Sequence, residues 1–185
     1  MSIVYIKKVN KDLKVNLANI NKKRAEYLSN LKGNTQLISY CSWIFLKEII
    51  KEYYNINIDE LDLCYNDFKK PYFKDNPFFF NISHSKDIIA IAISSKEVGV
   101  DIQVIENNTY VNRLAKKMNI NDDIYEVIKK FSSLEAYYKK IGTGLYPSQL
   151  TNNIQITHQE ILNINNQDYV LSVSFDDESF KVVHI

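Results

Sequence analysis

The chain of 185 residues holds two cysteines, four glycines, three prolines, one tryptophan and three histidines. Cys41 and Cys64 lie in apolar settings, a Ser-Trp-Ile-Phe-Leu helix and a Leu-Asp-Leu strand, without the paired spacing of a zinc site. A chain of this length buries enough surface to need no disulfide framework, and two buried reduced thiols are expected, which favours the cytosol. With so little glycine and proline, no low-complexity linker divides the chain. No run of eighteen apolar residues occurs, and Met1 to Ile6 is followed by Lys7 and Lys8 without a cleavable signal pattern. A cytoplasmic, soluble protein with no membrane partner is expected. Excess charge of one sign is absent as well: 23 basic side chains against 22 acidic ones leave a net charge of +1. That balance argues against a dedicated nucleic-acid binder.

What is present is apolar periodicity. Ile3 to Val9 reads as a strand, Asn16 to Leu31 as a helix, and the stripe Leu37, Cys41, Ile44, Phe45 and Ile49 as a second helix running to Tyr53 or Tyr54. Leu61 to Tyr65 alternates like a strand. Lys69-Lys70-Pro71-Tyr72 follows as a loop, because proline holds Lys70 extended. Phe78 to Ile82 and Ile88 to Ser94 read as a hairpin whose polar tip is Ser83 to Asp87, and Val98 to Ile105 as a further strand. Val111 to Met118 is helical. Ile124, Val127, Phe131, Leu134, Tyr138 and Ile141 mark the buried stripe of the longest late helix, which Gly142-Thr143-Gly144 stops. The tail reads as three strands, Asn153 to Thr157, Asp168 to Phe175 and Ser179 to Ile185, with a turn at Asn165-Asn166-Gln167. Helices mixed with short, mostly antiparallel strands imply an α+β protein of two similar halves, 1–97 and 98–185, meeting at a cleft around residues 95–105.

Asp101 is the first residue to question, since an acid between Val100 and Ile102 on a β-branched run is costly to bury without a cation or hydrogen-bond donors. His84, flanked by Ser83 and Ser85, is either a solvated turn residue or part of an anion site. Lys22, Lys23 and Arg24 are either a solvated face or a phosphate anchor. Glu135 and Lys139, four apart on one helix, are either a surface ion pair or functional groups on the edge of the buried stripe.

Four segments then coincide in order: Lys70-Pro71, Asn81-Ile82-Ser83-His84-Ser85, Gly99-Val100-Asp101-Ile102-Gln103, and Phe131 to Lys139 with Gly142-Thr143-Gly144-Leu145. Their order and spacing resemble the Sfp-type 4'-phosphopantetheinyl transferases, whose motifs are Lys-Pro, Asn-x-Ser-His-Ser, Gly-(Val/Ile)-Asp-(Ile/Leu)-Glu and Trp-x-x-Lys-Glu-(Ala/Ser)-x-x-Lys. The resemblance spans roughly residues 35 to 146.

That resemblance implies a monomer of two pseudo-symmetric α+β subdomains with coenzyme A and Mg2+ in the cleft between them. Asp101 and Glu135 would hold the metal through carboxylate oxygens, with Gln103 at the position of the family's third acid. Lys70, Pro71, Ser83 and His84 would contact coenzyme A, and Lys22, Lys23 and Arg24 its 3'-phosphate. Glu135 would take the proton of the attacking serine, and Lys139 would stabilise the leaving phosphate. The implied activity is holo-acyl-carrier-protein synthesis. The implied partner is an acyl or peptidyl carrier protein of fatty acid, polyketide or nonribosomal peptide synthesis, met by the basic helix face of Arg113, Lys116 and Lys117. Three positions depart from the pattern: Gln103 for the acid, Phe131 for the tryptophan and Leu134 for a lysine. A non-catalytic relative that binds coenzyme A or a carrier is the competing expectation. The retention of His84, Asp101, Glu135 and Lys139 favours the enzyme.

Overall fold

A computed structural model describes residues 1–75, 77–120, 123–177 and 179–185. The first half contains β1 (Ser2–Lys8), α1 (Lys22–Ser29), α2 (Gly33–Tyr54), β2 (Leu63–Tyr65), β3 (Pro71–Phe73), β4 (Phe79–Ser85) and β5 (Ile88–Ser94). The second contains β6 (Gly99–Val104), α3 (Thr109–Met118), α4 (Ile124–Ile141), β7 (His158–Ile164), β8 (Gln167–Ser174) and β9 (Phe180–His184). The chain is α+β. A four-stranded sheet has the order β4-β5-β1-β9, a three-stranded sheet the order β6-β8-β7, and β2 and β3 form a ribbon. Pairing is antiparallel except between β1 and β9.

Strand β5 explains how these parts stack. Its sequence Ile-Ile-Ala-Ile-Ala-Ile-Ser is buried throughout. On one face Ile89, Ile91 and Ile93 pack with Trp43, Leu46 and Ile50 of α2. On the other, Ile88, Ala90 and Ala92 meet Val100 and Ile102 of β6 and Leu171 and Val173 of β8. A strand covered on both faces shows no polar alternation, which is why it reads as a continuous apolar run. Beyond the smaller sheet, Val127, Ile128, Leu134 and Tyr138 of α4 close a third core with Leu114 and Met118 of α3. Burial of this kind contributes roughly 25 cal/mol for each Å² of apolar surface removed from water.

Several local expectations change. The helix expected over Asn16–Leu31 is interrupted: a 3-10 turn at Leu17–Asn19 precedes α1, which starts afresh where the Asn21 side chain accepts from the Lys23 N–H. The hairpin tip contracts to Lys86-Asp87, since Ser85 already pairs with Ile88, so Ser83, His84 and Ser85 belong to β4. Residues 153–157, expected as a strand, lie outside any strand, and β7 begins at His158. Its register is set by the turn at Asn165 and Asn166, both with positive φ (53° and 60°), as a two-residue hairpin turn of the type I′ class requires. The last strand, expected with the C-terminal half, instead lies beside β1 in the N-terminal sheet.

Gly99 sets the distance between β6 and α4. A Cβ on it would stand 2.0 Å from the Ala136 carbonyl oxygen and 2.4 Å from the Lys140 nitrogen, both backbone atoms of α4. The helix therefore lies almost directly on the start of the strand that carries Asp101. At the other end of α4, Asp123 caps the first turn through the N–H groups of Tyr125 and Glu126, and Gly142 ends the helix at φ 75°.

Candidate active site

Asp101 is 1 % exposed, and every partner that makes this tolerable converges on its carboxylate. The Lys139 ammonium lies 2.5 Å from Oδ1, Ser83 donates its hydroxyl to the same oxygen at 2.9 Å, and the Gln103 amide donates to Oδ2 at 3.0 Å. Lys139 also donates to Ser83 Oγ at 3.2 Å and stands 3.8 Å from Glu135 Oε2. Residues from both halves thus meet here: Ser83 from β4, Asp101 and Gln103 from β6, Glu135 and Lys139 from α4. A 3.6-residue turn places Phe131, Glu135 and Lys139 on one face of α4, all lining the same open cleft of about 320 Å³ with Ile82, His84 and Tyr110.

The electrostatics follow from this crowding. Burial pushes the Glu135 carboxyl above its ordinary range, an effect that nearby Lys139 opposes and Asp101 reinforces. Loss of surrounding water lowers the His84 imidazole first, and the Lys139 charge lowers it further. At neutral pH His84 is thus uncharged and carries one N–H donor. Tyr110 packs edge-on over Phe131, 5.9 Å between ring centroids, and its phenol is raised by burial and then by Glu135.

Among the described residues no group of three or more His, Cys, Asp or Glu side chains could hold a metal ion. Two carboxylates and an amide oxygen are nonetheless hard donors of the kind Mg2+ accepts, since that ion keeps several waters and takes one or two protein carboxylates beside substrate phosphates. The donor chemistry of Asp101, Glu135 and Gln103 therefore fits a magnesium ion. Because the Gln103 amide donates to Asp101, Gln103→Glu should replace a hydrogen bond by like-charge repulsion. At about 5 Å and an effective dielectric near 20, each unit charge adds roughly 1–3 kcal/mol of attraction for a bound cation after partial cancellation. A lower melting temperature without divalent cation, a larger recovery on adding Mg2+ and a lower Mg2+ requirement are expected. Calorimetric melting with and without Mg2+ checks this; an unchanged cation response refutes it.

The other residues singled out by sequence are placed differently. Lys70 is directed at the C-terminal end of α4, where its ammonium donates to the Lys140 carbonyl at 2.9 Å and pairs with Glu97 at 2.7 Å. Pro71 opens β3 and pairs with Tyr65. Arg24 is buried: it donates to the Ser39 carbonyl and hydroxyl and lies over the rings of Tyr27 and Trp43, so its guanidinium ties α1 to α2. Lys23 pairs with Asp62, and Lys22 is exposed. None of these five residues lines the cleft at Asp101. Leu134 is fully buried in the α3–α4 core, so a lysine at that position on this helix would face away from the cleft. Ser83, expected at a phosphate, has its hydroxyl proton on Asp101 and accepts from both Lys139 and the Ile102 N–H.

Sequence reasoning named Asn81 and Ser85 as motif residues but missed what they bind. Asn81 Oδ1 accepts from the Val100 N–H at 2.9 Å and Ser85 Oγ from the Val104 N–H at 2.9 Å. The signal was present, because Asn81, Ser83 and Ser85 alternate on one face of a strand where apolar residues would otherwise stand.

No protein-family model matches the chain. Among curated proteins it is similar to a 4'-phosphopantetheinyl transferase, Gsp, of Aneurinibacillus migulanus, at 28% identity over 115 residues, covering 56% of this chain and 47% of the relative. The chain thus spans about half the length of the curated relative it matches. Among the described residues no helix is long and apolar enough to cross a membrane.

Proposed function

We propose that this chain is a phosphopantetheinyl transferase of the Sfp type. In this reading a cytoplasmic monomer moves the 4'-phosphopantetheine arm of coenzyme A onto a serine of an acyl or peptidyl carrier protein. The observation that carries this reading is the convergence of Asp101, Glu135 and Lys139, with Ser83 and His84 across the cleft. The similarity to a protein of that name supports it independently.

Bound Mg2+, held by Asp101, Glu135 and the Gln103 amide oxygen, would supply charge neutralisation at the pyrophosphate. The remaining work falls to the side chains. The serine oxygen forms a bond to the β-phosphorus of coenzyme A, the pyrophosphate P–O bond breaks, and 3',5'-ADP leaves with the electron pair. Glu135 takes the serine proton; its burial raises its basicity. Lys139, whose ammonium contacts the Asp101 and Glu135 carboxylates and the Ser83 hydroxyl, exchanges Asp101 for the phosphate oxygens as charge builds on the leaving group. His84 on the rim offers its single N–H to a phosphate oxygen. Phosphoryl transfer needs little beyond such positioning and charge stabilisation.

The deciding experiment incubates the protein with an apo-carrier, coenzyme A and Mg2+ and weighs the carrier. A gain of one phosphopantetheine is expected; coenzyme A binding without any gain on several carriers would identify a non-catalytic relative. His84→Ala should raise the KM for coenzyme A about tenfold, the value of one hydrogen bond to a charged group, while leaving kcat near that of the parent. Initial rates at varied coenzyme A check this, and a lowered kcat at unchanged KM would move His84 to a transition-state role.

A further inference from the structure

Strand β6 is an edge of its sheet, and among the described residues its outer N–H groups pair with no strand backbone. They are directed instead at side chains of β4: Val100 to Asn81 at 2.9 Å, Ile102 to Ser83 at 3.2 Å and Val104 to Ser85 at 2.9 Å. The period of two in one strand matches the period of two in the other, so three consecutive outward N–H groups each find one acceptor. The three acceptor residues are buried, at 7 %, 5 % and 9 % exposure. A buried donor left unpaired costs more than an ordinary hydrogen bond gains, so each bond of this seam is strongly specified. Backbone ladders give every register the same bonds. A ladder of side chains does not: slipping β6 by one residue would turn its bonded N–H groups away from all three acceptors at once.

The middle rung is the one that touches chemistry. Ser83 sits between Asn81 and Ser85, and only in this register does its hydroxyl meet both the Ile102 N–H and the Asp101 carboxylate, with Lys139 beside it. We infer that Asn81 and Ser85 are positioning residues: they lock β4 against β6 so that Ser83 and His84 on one wall of the cleft and Asp101, Glu135 and Lys139 on the other face a single ligand. Its functional consequence rests on the transferase reading, whereas the register itself does not.

The test uses the full chain carrying Asn81→Ala and Ser85→Ala, singly and together, with Ser85→Thr as the variant that keeps the hydroxyl. Two signals report the central rung without touching it: hydrogen exchange at the Ile102 amide, and the ammonium protons of Lys139 in protein labelled with 15N-lysine. The double variant should lose protection at Ile102 by ~10-fold or more, because opening becomes local rather than sub-global. Lys139 protons should exchange faster in it, and kcat should fall along with them. Ser85→Thr should keep all three at parent values. Unchanged Ile102 and Lys139 signals in the double variant overturn the inference. So does a loosened rung with an unchanged kcat, which leaves the seam purely structural, and so does failure of Ser85→Thr to retain the parent signals. Loosened signals in a protein whose parent transfers nothing refute the transferase reading and uphold the register.

Discussion

Glu135→Gln is expected to lower phosphopantetheine transfer by about 10²–10⁴-fold, the usual loss when a positioned general base is removed. The amide keeps the shape of the side chain and one oxygen for a cation, but it cannot accept the serine proton. Lys139 lies 3.8 Å from Glu135 and 2.5 Å from Asp101, so it retains its principal partner in the variant and the helix stays in place. An unchanged far-UV spectrum and melting temperature within a few degrees should accompany the loss. The sign of the pH dependence follows from burial. In the proposed mechanism Glu135 acts as the carboxylate; burial holds its carboxyl above the ordinary range and a bound Mg2+ opposes that shift, so the rate should fall as pH drops, and the fall should move to lower pH as Mg2+ is raised. In Glu135→Gln the residual rate should lose this acid limb. Carrier mass measured against time across pH 5 to 8 checks both statements, and a variant with most of the parent rate would remove Glu135 from the mechanism.

The second large effect concerns a residue with no side chain. Gly99→Ala places a methyl group 2.0 Å and 2.4 Å from backbone atoms of Ala136 and Lys140, which cannot rotate aside as a side chain would. Either β6 or α4 must withdraw. Overpacking against rigid backbone costs about 3 kcal/mol or more, and a chain of this size loses roughly 2–4 °C in Tm for each kcal/mol, so a drop of about 6–12 °C is expected. Transfer measured below the new melting point should still be depressed ~10²-fold, because a shift of about 1 Å between Asp101 on β6 and Glu135 on α4 spoils their common alignment. Gly144→Ala provides the contrast. That residue has open space around it and φ 71°, so its substitution should cost only the backbone penalty of about 1 kcal/mol. Equal melting points for the two variants would show that β6 and α4 accommodate the methyl group.

Much of the architecture is written in short-range pattern. Helices α2, α3 and α4 follow from apolar residues three and four apart, and α4 ends where Gly142 allows a positive φ. The turn at Asn165-Asn166 is legible because asparagine tolerates the left-handed conformation. The start of β7 was not, since His158–Ile164 is half-exposed along its length and lacks a clean alternation. Asp101 was legible as a residue needing partners, because the cost of burying a carboxylate on an apolar strand does not depend on where the strand packs.

By itself, then, the sequence determined the α+β class, the main helices, the order of the motif segments and the chemical types gathered in them. Tertiary structure alone decided which of those groups share a site. Lys70 and Arg24 have the charge for a phosphate contact, yet one caps the end of α4 and the other bridges α1 and α2. Ser83, expected at a phosphate too, belongs to a seam whose partners on β6 lie 19 residues away. Strand β9 returns to pair with β1 across almost the whole chain. The physical reason is common to all of these. A side chain's donors, acceptors and charge are local properties that sequence states outright, whereas the partner that satisfies them is chosen by burial and strand register between segments far apart in the chain.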